Sequence, residues 1–175
     1  MKRQREILDI FVRYIILILV AVPNLWLFYL ILTPLTAYPT YFLLNIFYDA
    51  SILNNNIILI NHAIPIELIG ACIAGSAYYL LLILNLTTRE IALKKRARIL
   101  LWAFGAFLVL NILRIFALSL FVISGSSFFD ITHRIFWYAL STIFVVAIWF
   151  TEVKFFKIKA IPFYSDVKFL YKNLK

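Results

Sequence analysis

The chain has 175 residues, 65% hydrophobic and 14% charged, with a formal net charge of +9. A soluble domain carries roughly 25% charged residues and about half apolar ones, so this composition, with a mean hydropathy of +0.97, excludes an ordinary soluble globular protein and points to an integral membrane one. The positive charge is not a nucleic-acid signature either, because the basic residues form short clusters beside apolar runs, as membrane topology requires.

In chain order, four runs approach the roughly 20 residues of a spanning helix: 14–33, 68–86, 99–123 and 133–150. The first follows the basic "MKRQR" and Arg13, and Pro23 is expected to bend it. It is too long for the apolar core of a cleavable leader and reads as a retained helix. Segment 38–48, "YPTYFLLNIFY", is apolar but too short to span upright. Segment 56–68, "NIILINHAIPIEL", alternates and contains Pro65, which suits a re-entrant or hairpin-like piece at the interface. The expected fold is an all-α polytopic membrane bundle in a single domain, 1–175, with about four spanning helices and one or two short outer segments. The chemical core is expected at about 67–150, followed by a basic amphipathic tail at 151–175.

Three basic clusters set the orientation: one before the first run, one from Arg89 to Arg98, and one after the fourth run. By the positive-inside rule all three, and both termini, are cytoplasmic. Neither Lys nor Arg occurs between Arg13 and Arg89, so the connection around 49–67 belongs outside, as does "SGSSFFD" at 124–130. An even number of crossings must separate Arg13 from Arg89. Segment 38–48 therefore either does not span or pairs with a second short crossing.

Within the third run, "LVLNILRIFALSL" places Arg114 in an otherwise uncharged stretch. An arginine at mid-membrane costs at least about 2.5–3.5 kcal/mol, so it needs a partner or a polar cavity. Topology puts it in the outer half of the bilayer. Cys72, near the outer end of the second run, and His133, at the outer start of the fourth, fall at the same depth. Asn111, three residues before Arg114, shares its helical face and is expected to orient the guanidinium.

Such a set supports thiol acyl transfer. The nucleophile is the thiolate, which an apolar slab disfavours; a nearby cation and the positive end of a helix offset this. In this reading Cys72 is the nucleophile, His133 the general base and acid, and Arg114 the stabiliser of thiolate or oxyanion. Taken singly, Cys72 also reads as a packing residue and His133 as an interfacial one. No cofactor is implied. Two histidines, His62 and His133, and one cysteine are too few for a closed zinc site of the usual type. A haem would need axial ligands facing each other across the bundle, and the single cysteine cannot form an intramolecular disulfide.

In order along the chain, "ELIGACIAG" (67–75), "NILRI" and "THRIFW" resemble motifs of the exosortase/archaeosortase family, including its short archaeal, pacearchaeosortase-like forms. The resemblance covers 67–149. It implies a multi-pass membrane cysteine transpeptidase with Cys72 as nucleophile, Arg114 as the family's arginine and His133 as its third residue. Its implied substrates are membrane-anchored proteins whose C-terminal signal combines a motif, a transmembrane helix and a basic tail. Its implied acceptor is a lipid or another nucleophile on the outer side of the cell membrane. Nucleic acid is not among the implied partners. Ile73 departs from the pattern, since a small polar residue and then Gly or Ala usually follow the nucleophile; here Ile73 and Ala74 follow, with Gly75 one place later. The rival reading is a non-catalytic transporter or complex subunit in which Arg114 binds an anion. The tail "KFFKIKAIPFYSDVKFLYKNLK" mixes lysines with aromatic residues, which suits a membrane surface whatever the function.

Overall fold

The computed structural model describes residues 2–22, 24–54, 56–126 and 128–174. The chain is mostly helical, in the order α1 (Lys2–Ala21), α2 (Trp26–Asn45), β1 (Ala50–Asn54), β2 (Ile57–Ile60), β3 (Ile64–Glu67), α3 (Gly70–Ile73), α4 (Gly75–Leu86), α5 (Leu93–Ile123) and α6 (Phe129–Ile135). A π-helical turn (Phe136–Leu140) then leads into α7 (Ser141–Phe155), and α8 (Tyr164–Leu174) ends the chain.

The run expected at 14–33 is two helices rather than one. Asn24 and Leu25 adopt φ of +51° and +58°, which ends α1 and restarts the chain in α2. The bend expected at Pro23 lies outside the described residues. Segment 38–48 is not a separate outer piece, because α2 continues through most of it, to Asn45.

The all-α expectation also needs correction. Residues 50–67 form a three-stranded antiparallel sheet in the order β1-β2-β3. The cause is local: β2 is apolar throughout and rich in β-branched isoleucine, and its side chains alternate in direction, so that Ile58 and Ile60 are fully buried while Ile57 and Leu59 point to the other face. Ile58 and Ile60 join Leu44, Ala50 and Leu68 in the main apolar core. Of the two forms expected for 56–68, the hairpin is the one adopted. Its turn uses Asn61 and His62 at φ of +49° and +55°, a region that Asn and His enter more readily than most residues. Asp49 meets both: its N–H donates to Asn61 Oδ1 at 3.3 Å, and its carboxylate lies 3.1 Å from His62 Nε2.

α2, α4, α5 and α7 pack around Tyr78 and Phe107, whose rings meet edge-on at 4.8 Å between centroids. Phe28 and Phe104 extend this aromatic layer. α2 and α5 are long and apolar enough to cross a membrane, yet only 28% and 33% of their apolar stretches are buried inside the chain. The second expected run, 68–86, is a shorter helical stretch broken at Ala74. The fourth, expected at 133–150, runs from Phe129 to Phe155 through the π turn.

At the basic end, two arginines cap α4. The last carbonyls of a helix lack intrahelical donors. Here Arg96 Nη1 donates to the carbonyls of Asn85 and Leu86, and Arg13 Nη1 donates to that of Leu86. Arg13 also meets Asp166 of α8 in a two-pronged pair, both contacts 3.1 Å, with both side chains buried. α8 is therefore clamped to the bundle and is not a loose tail. Near the end of α4, Asn85 Nδ2 donates to the buried Glu152 of α7 at 3.1 Å.

Removing one partner of a buried ion pair strands the other charge. Asp166→Ala is therefore expected to cost about 3–5 kcal/mol, read as an earlier unfolding midpoint of the detergent-solubilised chain; an unchanged midpoint would contradict the clamp. Ala74, at φ +58°, pays the left-handed penalty of a residue with a Cβ. Ala74→Gly is expected to stabilise the chain by roughly 1 kcal/mol in the same assay, and a loss of stability would show that the break is not strained.

Candidate functional site

The site begins where the chain leaves β3 and turns into α3. Ile69 is extended and α3 is a single turn, closed by Cys72 N–H donating to Ile69 O at 2.8 Å. Ala74 then reverses into the left-handed region and starts α4. Such a break diverts the amide donors that would continue the helix. Ala74 N–H still reaches Gly70 O at 3.0 Å, but the later carbonyls of this one-turn helix, those of Ala71 and Cys72, lie beyond its own ladder. Gly75 fits the break because its missing side chain leaves room for Tyr29; a Cβ there would lie 3.0 Å from the Tyr29 ring.

Arg114 supplies what the break removes. Its Nη2 donates to Cys72 O at 3.0 Å and to Ala71 O at 3.2 Å. Its Nη1 donates to Ser141 Oγ at 2.5 Å. The side chain is 6% exposed, and its Nε is buried without a partner. One guanidinium thus ties α5 to the α3 turn and to the start of α7. Asn111 acts beside it rather than on it: its Nδ2 donates to the same Cys72 carbonyl at 2.9 Å. The expectation that Asn111 orients the guanidinium is corrected accordingly, because the two residues share an acceptor.

Ser141 escaped the sequence reading. It follows the π turn, whose wider winding shifts the side chains after it around the helix. Its hydroxyl donates back to Phe136 O, five residues earlier, at 3.3 Å and accepts from Arg114. A lone serine in an apolar helix carries no signal, and a π turn has no reliable sequence mark, so nothing in the sequence separates Ser141 from a packing residue.

Cys72 and His133 line one cavity of about 100 Å³. Ile115, Leu118 and Ser119 of α5 form part of its wall, and Phe129 stacks on the His133 ring at 5.4 Å. Among the described residues no hydrogen bond joins the thiol to the imidazole. His133 lies in the second turn of its helix, which starts at Phe129, and not at the helix start as expected. The α3 turn is likewise only four residues long, so it lends Cys72 less dipole than the expected long helix would. Glu67, the last residue of β3, opens onto the same cavity. The sequence reading placed Glu67 in a motif and gave it no role. On the other side of α3, a larger cleft of about 410 Å³ is lined by Tyr29, Gly70, Ala71, Ser76 and Ser141.

Chemically, the arrangement offers a half-buried thiol, an imidazole and a carboxylate spread around the lining of one cavity, with an arginine behind the thiol's own backbone. Among the described residues, no three His, Cys, Asp or Glu side chains gather as a metal site would need. Compared with family models, characterised proteins and solved structures, the chain matches none.

Proposed function

We propose that the chain is a multi-pass membrane cysteine transpeptidase, with an active site opening on the outer side of the membrane. The observation that carries this reading is that Cys72 and His133 share a cavity while Arg114 holds the Cys72 backbone from behind. The membrane part rests on α2 and α5, whose apolar surface is not consumed inside the chain, and on the basic clusters. With those clusters inside, the sheet and the Cys72 turn lie at the outer end, and α3–α4 and α6–α7 complete the four crossings.

The chemistry follows from the positions. His133 takes the Cys72 proton, directly or through one water; a cavity of about 100 Å³ has room for that water. The thiolate sulfur attacks a carbonyl of the substrate, forming a C–S bond and an oxyanion. Arg114 does not line this cavity; it acts through the Cys72 turn that it holds, and its positive charge behind that turn favours the thiolate over the thiol. His133 returns its proton to the leaving amine, and an amine or hydroxyl acceptor then releases the acyl group and regenerates the thiol. Glu67 opens onto the same cavity and adds a carboxylate to its lining. The substrate class is a membrane-tethered protein with a C-terminal helix and basic tail, and the acceptor is a lipid or other surface anchor.

The anion-binding alternative asks Arg114 to serve an outside charge. Its Nη1 and Nη2 already donate to Ser141, Ala71 and Cys72 within the chain, and its remaining Nε is buried, which weighs against a partner's carboxylate.

The test is the C-terminal processing of membrane-tethered surface proteins in cells making the wild-type chain or a variant, followed by mass spectrometry of the C-terminal peptides. Cys72→Ala is expected to abolish processing and His133→Ala to slow it by about 10²–10⁴-fold. If Cys72→Ala is silent while Arg114→Ala is not, the alternative stands and the enzyme does not.

A further inference from the structure

We propose that the cleft between α8 and the α4–α5 loop binds the phosphate headgroup of an anionic lipid. The inference rests on the membrane orientation above but not on the thiol chemistry. The cleft has a volume of about 410 Å³, and Arg89, Lys159, Lys168 and Lys172 line it with one carboxylate, Glu90. Four cations converging on one cavity repel one another, so something must hold them there.

The fold does so. The buried Arg13–Asp166 pair fixes α8 against the bundle. Ser165, Lys168, Phe169 and Lys172 follow the i, i+3, i+4, i+7 spacing that makes one helix face, and all four line the cleft. Arg89 is stacked 3.4 Å above the centre of the Phe169 ring and paired with Glu6 at 2.6 Å, which sets its position. Lys159 and Lys172 have no carboxylate partner among the described residues. A bound phosphate would relieve their repulsion and accept their hydrogen bonds.

The rim selects a lipid over free phosphate. Ile161, Phe163, Tyr164, Val167 and Tyr171 are exposed beside the charged cleft. An anionic head with an apolar tail matches both surfaces at once, whereas inorganic phosphate leaves the apolar rim in water. The basic end lies on the cytoplasmic side in the proposed orientation, where anionic headgroups are available to such pockets.

The full chain, purified in detergent, can be titrated with phosphatidylglycerol or phosphatidylcholine, with retained lipids counted by native mass spectrometry. The wild-type chain is expected to retain phosphatidylglycerol with a preference of about tenfold or more. Joint substitution of Lys159→Gln, Lys168→Gln and Lys172→Gln should remove that preference. A charge-matched control, Lys94→Gln with Arg98→Gln and Lys154→Gln, should keep it. All six side chains are exposed, and the single change Lys168→Glu provides a second, less invasive variant with the same expected direction. Three results overturn the proposal: no preference in the wild type, equal loss in both triple variants, or displacement of the lipid by millimolar inorganic phosphate at constant ionic strength. The last would make free phosphate the occupant. None of these results bears on processing by Cys72, so this inference and the enzymatic reading fail separately.

Discussion

The carbonyls of Ala71 and Cys72 are the constraint around which the site is built. A helix broken inside an apolar bundle strands polar backbone groups, each worth several kcal/mol if left bare. Arg114 and Asn111 supply the missing donors from α5, and Ser141 holds the guanidinium from the other side. The buried arginine and the broken helix explain each other. The break gives the arginine acceptors that hydrocarbon does not, and the arginine makes the break tolerable. What the break provides is a thiol on a tight turn beside a cavity, instead of a thiol packed along a regular helix.

The same physical device recurs at the basic end. There α4 finishes against Arg96 and Arg13, which satisfy its last carbonyls, and Arg13 passes the connection on to Asp166 of α8. Two arginine-capped helix ends, one at each end of the α3–α4 segment, therefore organise the chain. The first carries the candidate chemistry. The second fixes the surface helix and arranges the cations of the proposed lipid cleft.

Much of this was legible in the sequence because charge is rare in it. Arg114 stood out in a run of apolar residues, and Cys72 and His133 could be placed at its depth by counting from the basic clusters. Arg114 holds the backbone of the Cys72 turn, and Cys72 and His133 share a cavity that Arg114 does not line; the thiol and imidazole are not bonded. The sheet is half legible, because the alternation in 56–68 suits a re-entrant or hairpin-like piece but gives no sign that β1 joins it. The restart of the chain between α1 and α2 leaves no mark in the sequence. Its positive φ values fall at Asn24 and Leu25, and a leucine there carries no turn signal. The left-handed Ala74, the π turn and Ser141 were invisible for a related reason. They are backbone conformations imposed by tertiary contacts on residues with no local preference for them.

If Arg114 holds the Cys72 turn with its thiol in an outward cavity, as proposed, the accessibility of that thiol reports on it directly. Cys72 is the single cysteine, so its reaction with a membrane-impermeant maleimide can be followed without background from other thiols of the chain. In sealed, right-side-out vesicles the account predicts labelling of the wild-type chain from outside and a several-fold change in rate in Arg114→Gln, whose shorter, neutral side chain cannot bridge Ser141 and the Cys72 carbonyl. Labelling only after the vesicles are opened, or the same rate in both proteins, would contradict it.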